Sequence, residues 1–434
     1  VQHRYAVPAL LFCLVMLQAV AVASRERAIS PYDEGAHFDY VVQMRHGTFP
    51  VPAGQRYTDE AVQEWACRPH DRAGSIEALC GRETDYGQIP FMGVNYEAPF
   101  GPVYYGAAAA AAVALEPFGV SDFLAARLTS CFLFALGAAL LALLAQRLGA
   151  TRRAAFGAVL AASSTGLALG TGASISPDAM SFGITALGVG VALLVRSQRA
   201  ELALCSIVGV FAGLTKPNFF VIALLVAGLI LLKGLGQAES GRERLARVGR
   251  AGLPVALSLA ASGAWSRVAD ARNRTGLPFD GNLHEVLQSQ KSLASRVADH
   301  LAALLSPQGG TPPGPPFTAL SAPLPAMLSY VVVLLLFGAV LLAVVANVAE
   351  KPAALQILRA VAFAAPAAAV LFTAIYTVGY ENAHSPASRY GLPLLGAAAV
   401  GVALVPRRRE AAWLVALGVV TWLGAWSGLL AHHA

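Results

Sequence analysis

The chain has 434 residues, of which 56% are hydrophobic and only 13% charged, with a formal net charge of +6. A soluble domain carries roughly a quarter of its residues as charges, so this balance excludes that class. The positive charge does not point to nucleic acid either, because the cations gather in short connectors between apolar blocks, as in membrane proteins.

The blocks are about as long as the 18–25 residues that cross a hydrocarbon layer of roughly 30 Å. The first, Val7–Ser24, reads as an anchor helix. Its Ala21-Val22-Ala23 run before Arg25 is the competing sign of a cleaved signal peptide. Ten further spans are expected near 123–146, 154–172, 178–195, 201–215, 218–235, 251–266, 326–348, 358–379, 389–405 and 411–430. The apolar stretch Pro99–Phe118 sets the parity. If it lies in the membrane without crossing, fifteen of the 31 basic residues fall in short cytoplasmic connectors, among them Arg152, Arg153, Arg244, Arg247 and Arg407. The charge rule therefore favours a dipping helix there, the N-terminus inside, and about eleven spans.

Two long outer loops follow from that topology, 25–122 and 267–325. The first holds twelve of the 25 acidic residues between Arg25 and Ala98, which makes it solvated and structured. The second contains Gly309-Gly310-Thr311-Pro312-Pro313-Gly314-Pro315-Pro316, irregular by composition. Cys13, Cys131 and Cys205 lie in apolar spans, whereas Cys67 and Cys80 share the first loop, where an external location would permit a disulfide.

Five short motifs carry possible chemistry. In Ser30-Pro31-Tyr32-Asp33-Glu34-Gly35-Ala36-His37, Ser30 reads as an N-cap and Pro31 as the first helical residue. Asp33 would then sit in the first turn, where the helix dipole favours its ionised form, beside Glu34 and one turn from His37. Such a carboxylate is a candidate general base, although an acidic first turn also simply stabilises a helix. In Asn95-Tyr96-Glu97-Ala98-Pro99-Phe100-Gly101-Pro102-Val103-Tyr104-Tyr105, the prolines open the apolar helix and Glu97 precedes it. Asp178, in Ser176-Pro177-Asp178, either caps the following helix or joins Asp33 on the same face. Lys216 stands at a Pro-broken junction, and Arg389-Tyr390 opens a span on the side where arginines are not routine. Both cations are candidates for holding a phosphate. His37, His46, His70 and His384 lack metal-ligand spacing, and no metal is expected.

In this order the motifs resemble the type C glycosyltransferase superfamily (GT-C), polytopic helical enzymes that use lipid-linked sugars. The resemblance runs over roughly 5–235, through Asp33-Glu34, Glu97-Ala98-Pro99 with Tyr104-Tyr105, Ser176-Pro177-Asp178 and Thr215-Lys216-Pro217. Ser388-Arg389-Tyr390 and Pro393 add a likeness to bacterial membrane proteins of that group. The chain departs from protein O-mannosyltransferases, which have His-Pro-Pro at Glu97-Ala98-Pro99, and the large outer C-terminal domain of oligosaccharyltransferases is not expected.

The resemblance implies an all-α membrane fold with a catalytic module over 1–235, added helices over 236–434 and no separate soluble domain. It implies a polyprenyl-phosphate sugar as donor and a glycan, lipid or protein as acceptor, on the outer face of a bacterial cytoplasmic membrane. Asp33 and Glu34 would be catalytic; Lys216, Arg389 and Tyr390 would hold the donor phosphate. His37, Glu97, Asp178 and Tyr104 would position substrate, and the Pro99–Phe118 helix would help to hold the lipid tail. The competing functions are a flippase for lipid-linked sugars, which needs polar residues deep in several spans, and a non-catalytic subunit of a cell-envelope complex.

Overall fold

The computed structural model describes residues 5–30, 33–69, 75–233, 240–273, 292–306, 318–345, 352–378, 387–407 and 409–432. Pro31, Tyr32, His70, His384 and the 309–316 stretch lie outside them. Among the described residues the structure is helical, with one isolated bridge between Arg56 and Val94.

The chain enters through α1 (Ala6–Arg25) and then builds the first loop from α2 (Glu34–Arg45), α3 (Asp59–Ala66) and α4 (Val103–Leu115). Cys67 and Cys80 are joined by a disulfide there. The helix expected from Pro31 starts later, at Glu34, because Asp33 takes the left-handed conformation (φ 62°, ψ 14°) and stands as its N-cap. The prolines at 99 and 102 likewise lie before α4. With its terminal turn, the apolar segment runs over Val103–Phe118, short of the length needed to cross.

The bundle follows as α5 (Asp122–Arg147), α6 (Arg152–Ser163), α7 (Gly166–Ala173), α8 (Ser181–Leu194), α9 (Gln198–Thr215), α10 (Phe220–Leu232) and α11 (Gly241–Asp270). It closes with α12 (Leu293–Leu305), α13 (Pro323–Val345), α14 (Pro352–Val378), α15 (Leu392–Ala403) and α16 (Ala411–His432). Hydroxyl side chains start many of these helices, as Ser121 does for α5, Thr151 for α6 and Ser197 for α9.

Of the roughly eleven expected spans, those that length and composition alone identify among the described residues are fewer. Six described helices are long and apolar enough to cross, and α6 with α7 forms a seventh that bends by 72°. The bend falls at Ser164-Thr165, where Thr165 caps α7 and Ser164 donates to Gln18 of α1. The expected spans at 218–235 and 389–405 become short helices. All twelve residues of α15 are buried, so protein rather than lipid surrounds it.

Close backbone contact replaces bulk in the core. On α9, a Cβ at Gly213 would stand 2.1 Å from Ser258 O of α11, and one at Gly209 would stand 2.4 Å from Pro254 O. Small residues one turn apart allow such packing in lipid, where apolar burial gives little drive between helices. Chain direction carries α5, α8 and α10 away from the first loop and α9 and α11 back to it. The helix ends at 147, 152, 194, 198, 232 and 241 therefore lie opposite the loop, and Arg147, Arg152, Arg196, Lys233 and Arg242 lie with them.

Candidate functional site

The helix breaks at Asp33, Ser176, Lys216 and Ser388 converge beneath the first loop. Lys216 ends α9 in an extended conformation (φ −157°, ψ 137°), and Pro217 begins a 3-10 turn, so the side chain leaves the helix axis there. Arg389 stands in a 3-10 turn over Ser388–Gly391, and Asp178 in another over Pro177–Met180. Ser176, not Asp178, caps that turn, accepting from Asp178 N. The Asp178 carboxylate is thus available to the two cations.

Four charges form a chain. Lys216 Nζ lies 2.7 Å from Asp178 Oδ2, and Arg389 Nε lies 2.9 Å from the same oxygen. Arg389 Nη2 then reaches Asp33 Oδ2 at 2.5 Å, while Tyr96 OH donates to Asp33 Oδ1 at 2.8 Å. Lys216, Asp178 and Arg389 are buried, whereas the Asp33 side chain keeps 34% of its surface exposed. Tyr390 is buried beside them, its ring centre 5.0 Å from Lys216 Nζ and stacked on Phe372.

Burial acts to raise the Asp33 carboxyl. The Arg389 guanidinium, with Tyr96 and Lys216, outweighs it and holds Asp33 below the ordinary carboxylate range. Glu97 behaves oppositely: burial, with the Asp33 charge adding, pushes it well above that range despite Lys216 and Arg389. Its Oε2 lies 3.6 Å from His37 Nδ1, which also bonds Tyr105 OH at 2.8 Å. Burial, followed by the charges of Lys216 and Arg389, keeps the His37 imidazole neutral. Glu97 Oε2, His37 Nε2 and Asp178 Oδ1 have no hydrogen-bond partner among the described residues, although all three are buried. Orphaned buried polar atoms are rare in folded proteins and mark where a ligand would be met.

Glu34 is placed differently from Asp33. Arg127 of α5 grips it in two-pronged fashion at 2.8 Å and 2.8 Å, and Ser30 N and Ile175 N donate to it at 2.7 Å and 2.8 Å. Arg127 also donates to Ala23 O, Glu26 O and Ala28 O, so it ties α1, α2 and α5 together. Tyr104 faces away from the charge chain and bonds Ser130 of α5 at 2.6 Å; its neighbour Tyr105 is the residue that meets His37.

The sequence reading did not single out Tyr96, Arg127, Asp39 or Tyr105. Asp39 accepts from Thr58 N, Thr58 Oγ1, Asn95 Nδ2 and Gln43 Nε2, joining α2, α3 and the segment before Glu97. Arg127 had a legible signal, a lone charge inside an apolar block. Gly101 fastens that segment to α9, since a Cβ there would lie 1.7 Å from Leu214 O, two residues before Lys216. A narrow apolar crevice lies between α7, α12, α13 and α15, with Leu167, Leu304, Val333, Phe337 and Leu395 in its wall and Ser388 beside them. Among the described residues, no group of three or more His, Cys, Asp or Glu side chains is placed to hold a metal ion.

No family model matches the sequence, and no curated protein matches it. Among solved structures, ArnT from Cupriavidus metallidurans in the apo state is similar, with a TM-score of 0.51 at 17% identity over 97% of this chain and 75% of that one. The same protein bound to undecaprenyl phosphate overlays with a TM-score of 0.39, at 17% identity over 95% and 77%. An Archaeoglobus fulgidus oligosaccharyltransferase tethered to an acceptor peptide gives 0.40, at 12% identity over 96% and 55%. The first likeness establishes the fold and nothing finer; the other two carry no argument. The fold class that the motifs implied, an all-α polytopic membrane protein, is the one observed, and its fold is like that of ArnT.

Proposed function

We propose that the chain is a membrane glycosyltransferase that moves a sugar from a polyprenyl-phosphate donor to a hydroxyl acceptor. The observation that carries this reading is the division of labour in the charge chain: Asp33 is partly open, while Lys216 and Arg389 are buried immediately behind it. A base faces the cleft, and two cations stand where a leaving phosphate would gather charge.

In the resting arrangement Arg389 depresses the basicity of Asp33. A donor phosphate would draw the guanidinium toward itself, and burial would then raise the carboxylate toward the range of a working base. Asp33 takes the acceptor hydroxyl proton as its oxygen attacks the anomeric carbon. The bond from that carbon to the phosphate oxygen breaks, and the electron pair leaves with the polyprenyl phosphate. A single displacement inverts the sugar. Glu97, His37 and Asp178 position hydroxyl groups through their orphaned atoms, and Tyr390 and Lys216 line the phosphate side. Glu34 acts through position alone, by fixing the start of α2. The lipid tail would run along α4.

In this reading the site faces outward, supported by the basic connectors at the opposite end of the bundle, and a lipid carrier there replaces cytosolic nucleotide sugars. Transfer from radiolabelled polyprenyl-phosphate sugars tests it, with wild type beside Asp33→Asn. Transfer by wild type and its loss in the variant are expected. No transfer by wild type across a donor panel would contradict the function, and full transfer by the variant would remove Asp33 as base.

A further inference from the structure

One helix, α12 (Leu293–Leu305), takes no part in the transfer chemistry outlined above, yet it is built against the turn that carries Arg389. Ser292 caps its start by accepting from Ser295 N. Its inward residues fall at helical spacing: His300, Ala303 and Leu304 are buried, with Val297 and Leu301 half-buried beside them. Among the described residues α12 packs chiefly on α14 and on the 3-10 turn Ser388–Gly391.

Three contacts close α12, α14 and the turn into a triangle. Between α12 and the turn the backbones touch, so that a Cβ at Gly391 would stand 1.9 Å from Leu304 O. Gly391 has φ −82°, open to any residue, so the position demands space rather than conformational freedom. Between α14 and the turn, the Phe372 ring stacks on Tyr390, with centres 5.8 Å apart and planes 16° apart. Between α12 and α14, Thr373 Oγ1 donates to Ala369 O at 2.8 Å, so it accepts from His300 Nδ1, also at 2.8 Å. His300 and Thr373 are both buried, and Thr373 directly follows Phe372. The turn itself has little slack, since Tyr390 N donates to Ala387 O at 3.0 Å and Leu392 N donates to Arg389 O.

Arg389 leaves this turn with Nε on Asp178 and Nη2 on Asp33. A guanidinium is a planar fork whose hydrogen bonds need direction as well as distance, so the backbone that launches it sets how squarely it meets a phosphate. Building on the assignment of Arg389 to the donor phosphate, we propose that α12 is a brace for that site. It fixes the turn that aims Arg389, and Gly391, His300 and Thr373 are positioning residues for that cation. α12 acts through the turn and touches no substrate itself.

The test measures equilibrium binding of a radiolabelled polyprenyl phosphate, without sugar, to the full-length protein in detergent, beside donor kcat and KM. Thr373→Val removes the hydroxyl at nearly the same shape, and Gly391→Ala forces the turn and α12 apart. Each is expected to weaken polyprenyl-phosphate affinity per folded molecule by about tenfold and to raise donor KM with it, because small displacements of a positioned group are costly. Thr373→Ser keeps the hydroxyl and should bind like wild type. A merely structural role would lower the folded fraction and leave the affinity and KM of the folded molecules unchanged. Wild-type affinity in either Thr373→Val or Gly391→Ala would therefore overturn the brace and leave the proposed function standing. Wild type that binds polyprenyl phosphate but transfers no sugar would contradict the function, and the same affinity ratios still decide the brace. No binding by wild type would overturn both. If Gly391→Ala fails to fold, Thr373→Val against Thr373→Ser decides.

Discussion

Asp33 and Glu34 sit side by side, each carboxylate facing an arginine, yet their surroundings are opposite in kind. Glu34 lies in a sealed pocket and receives four hydrogen bonds, two from Arg127 and two from backbone N–H groups. Asp33 receives two among the described residues, sits in a left-handed conformation and remains a third exposed. A fully paired buried carboxylate has no capacity left for a substrate and holds elements in place. A partly satisfied one beside orphaned polar atoms keeps that capacity. The comparison teaches that neighbours in an acidic pair can be told apart by hydrogen-bond accounting, whatever the motif suggests of them jointly.

The largest expected effect falls on the sealed side. Arg127→Met leaves Glu34 buried without its countercharge, a lesion that costs about 3–5 kcal/mol. Thermal unfolding in detergent should show a much lower midpoint or no folded protein; an unchanged midpoint would break the contrast. On the open side, Lys216→Met should lower donor kcat/KM by about 10²-fold, because a cation that meets developing charge is removed. Its unfolding midpoint should change far less than that of Arg127→Met.

The two ends of the cleft should also differ in pH response. Asp33 is held below its ordinary value, so its pairing with Arg389 stabilises the fold above that value and is lost as pH falls through the lowered one. Glu97 is held above its ordinary value, so it favours the fold at low pH and that contribution is lost as pH rises through the raised one. Glu97→Gln should therefore flatten the alkaline side of the stability profile and leave the acid side as in wild type. The smallest effect belongs to His46, whose pairing with Glu60 is exposed on both partners. His46→Ala should shift stability by less than about 1 kcal/mol and leave transfer unchanged.

The residues of the candidate site that converge were legible as helix breaks, and breaks are written in local chemistry. Lys216-Pro217, Ser176-Pro177-Asp178 and Ser388-Arg389 each join a proline or a hydroxyl to a charge at the end of an apolar run. What brings them together is not local: Arg389 meets Asp33 across 356 positions, and Arg127 meets Glu34 across 93. Which of Tyr104 and Tyr105 meets His37 was not legible for a related reason, since neighbouring residues on a helix point about 100° apart and only packing selects one. The bend after α6 had a sign in Ser163-Ser164-Thr165-Gly166, a polar run within an apolar block. The short buried α15 had none, because apolarity does not distinguish burial in protein from burial in lipid.

The contrast between the neighbouring carboxylates is tested most directly by Asp33→Asn and Glu34→Gln measured together, for transfer from a polyprenyl-phosphate sugar and for thermal unfolding. Asp33→Asn should lose transfer by about 10³-fold and retain an unfolding midpoint close to wild type. Glu34→Gln should lose stability first, with transfer per folded molecule largely preserved. The reverse pattern, a stable and inactive Glu34→Gln beside an active Asp33→Asn, would contradict the account.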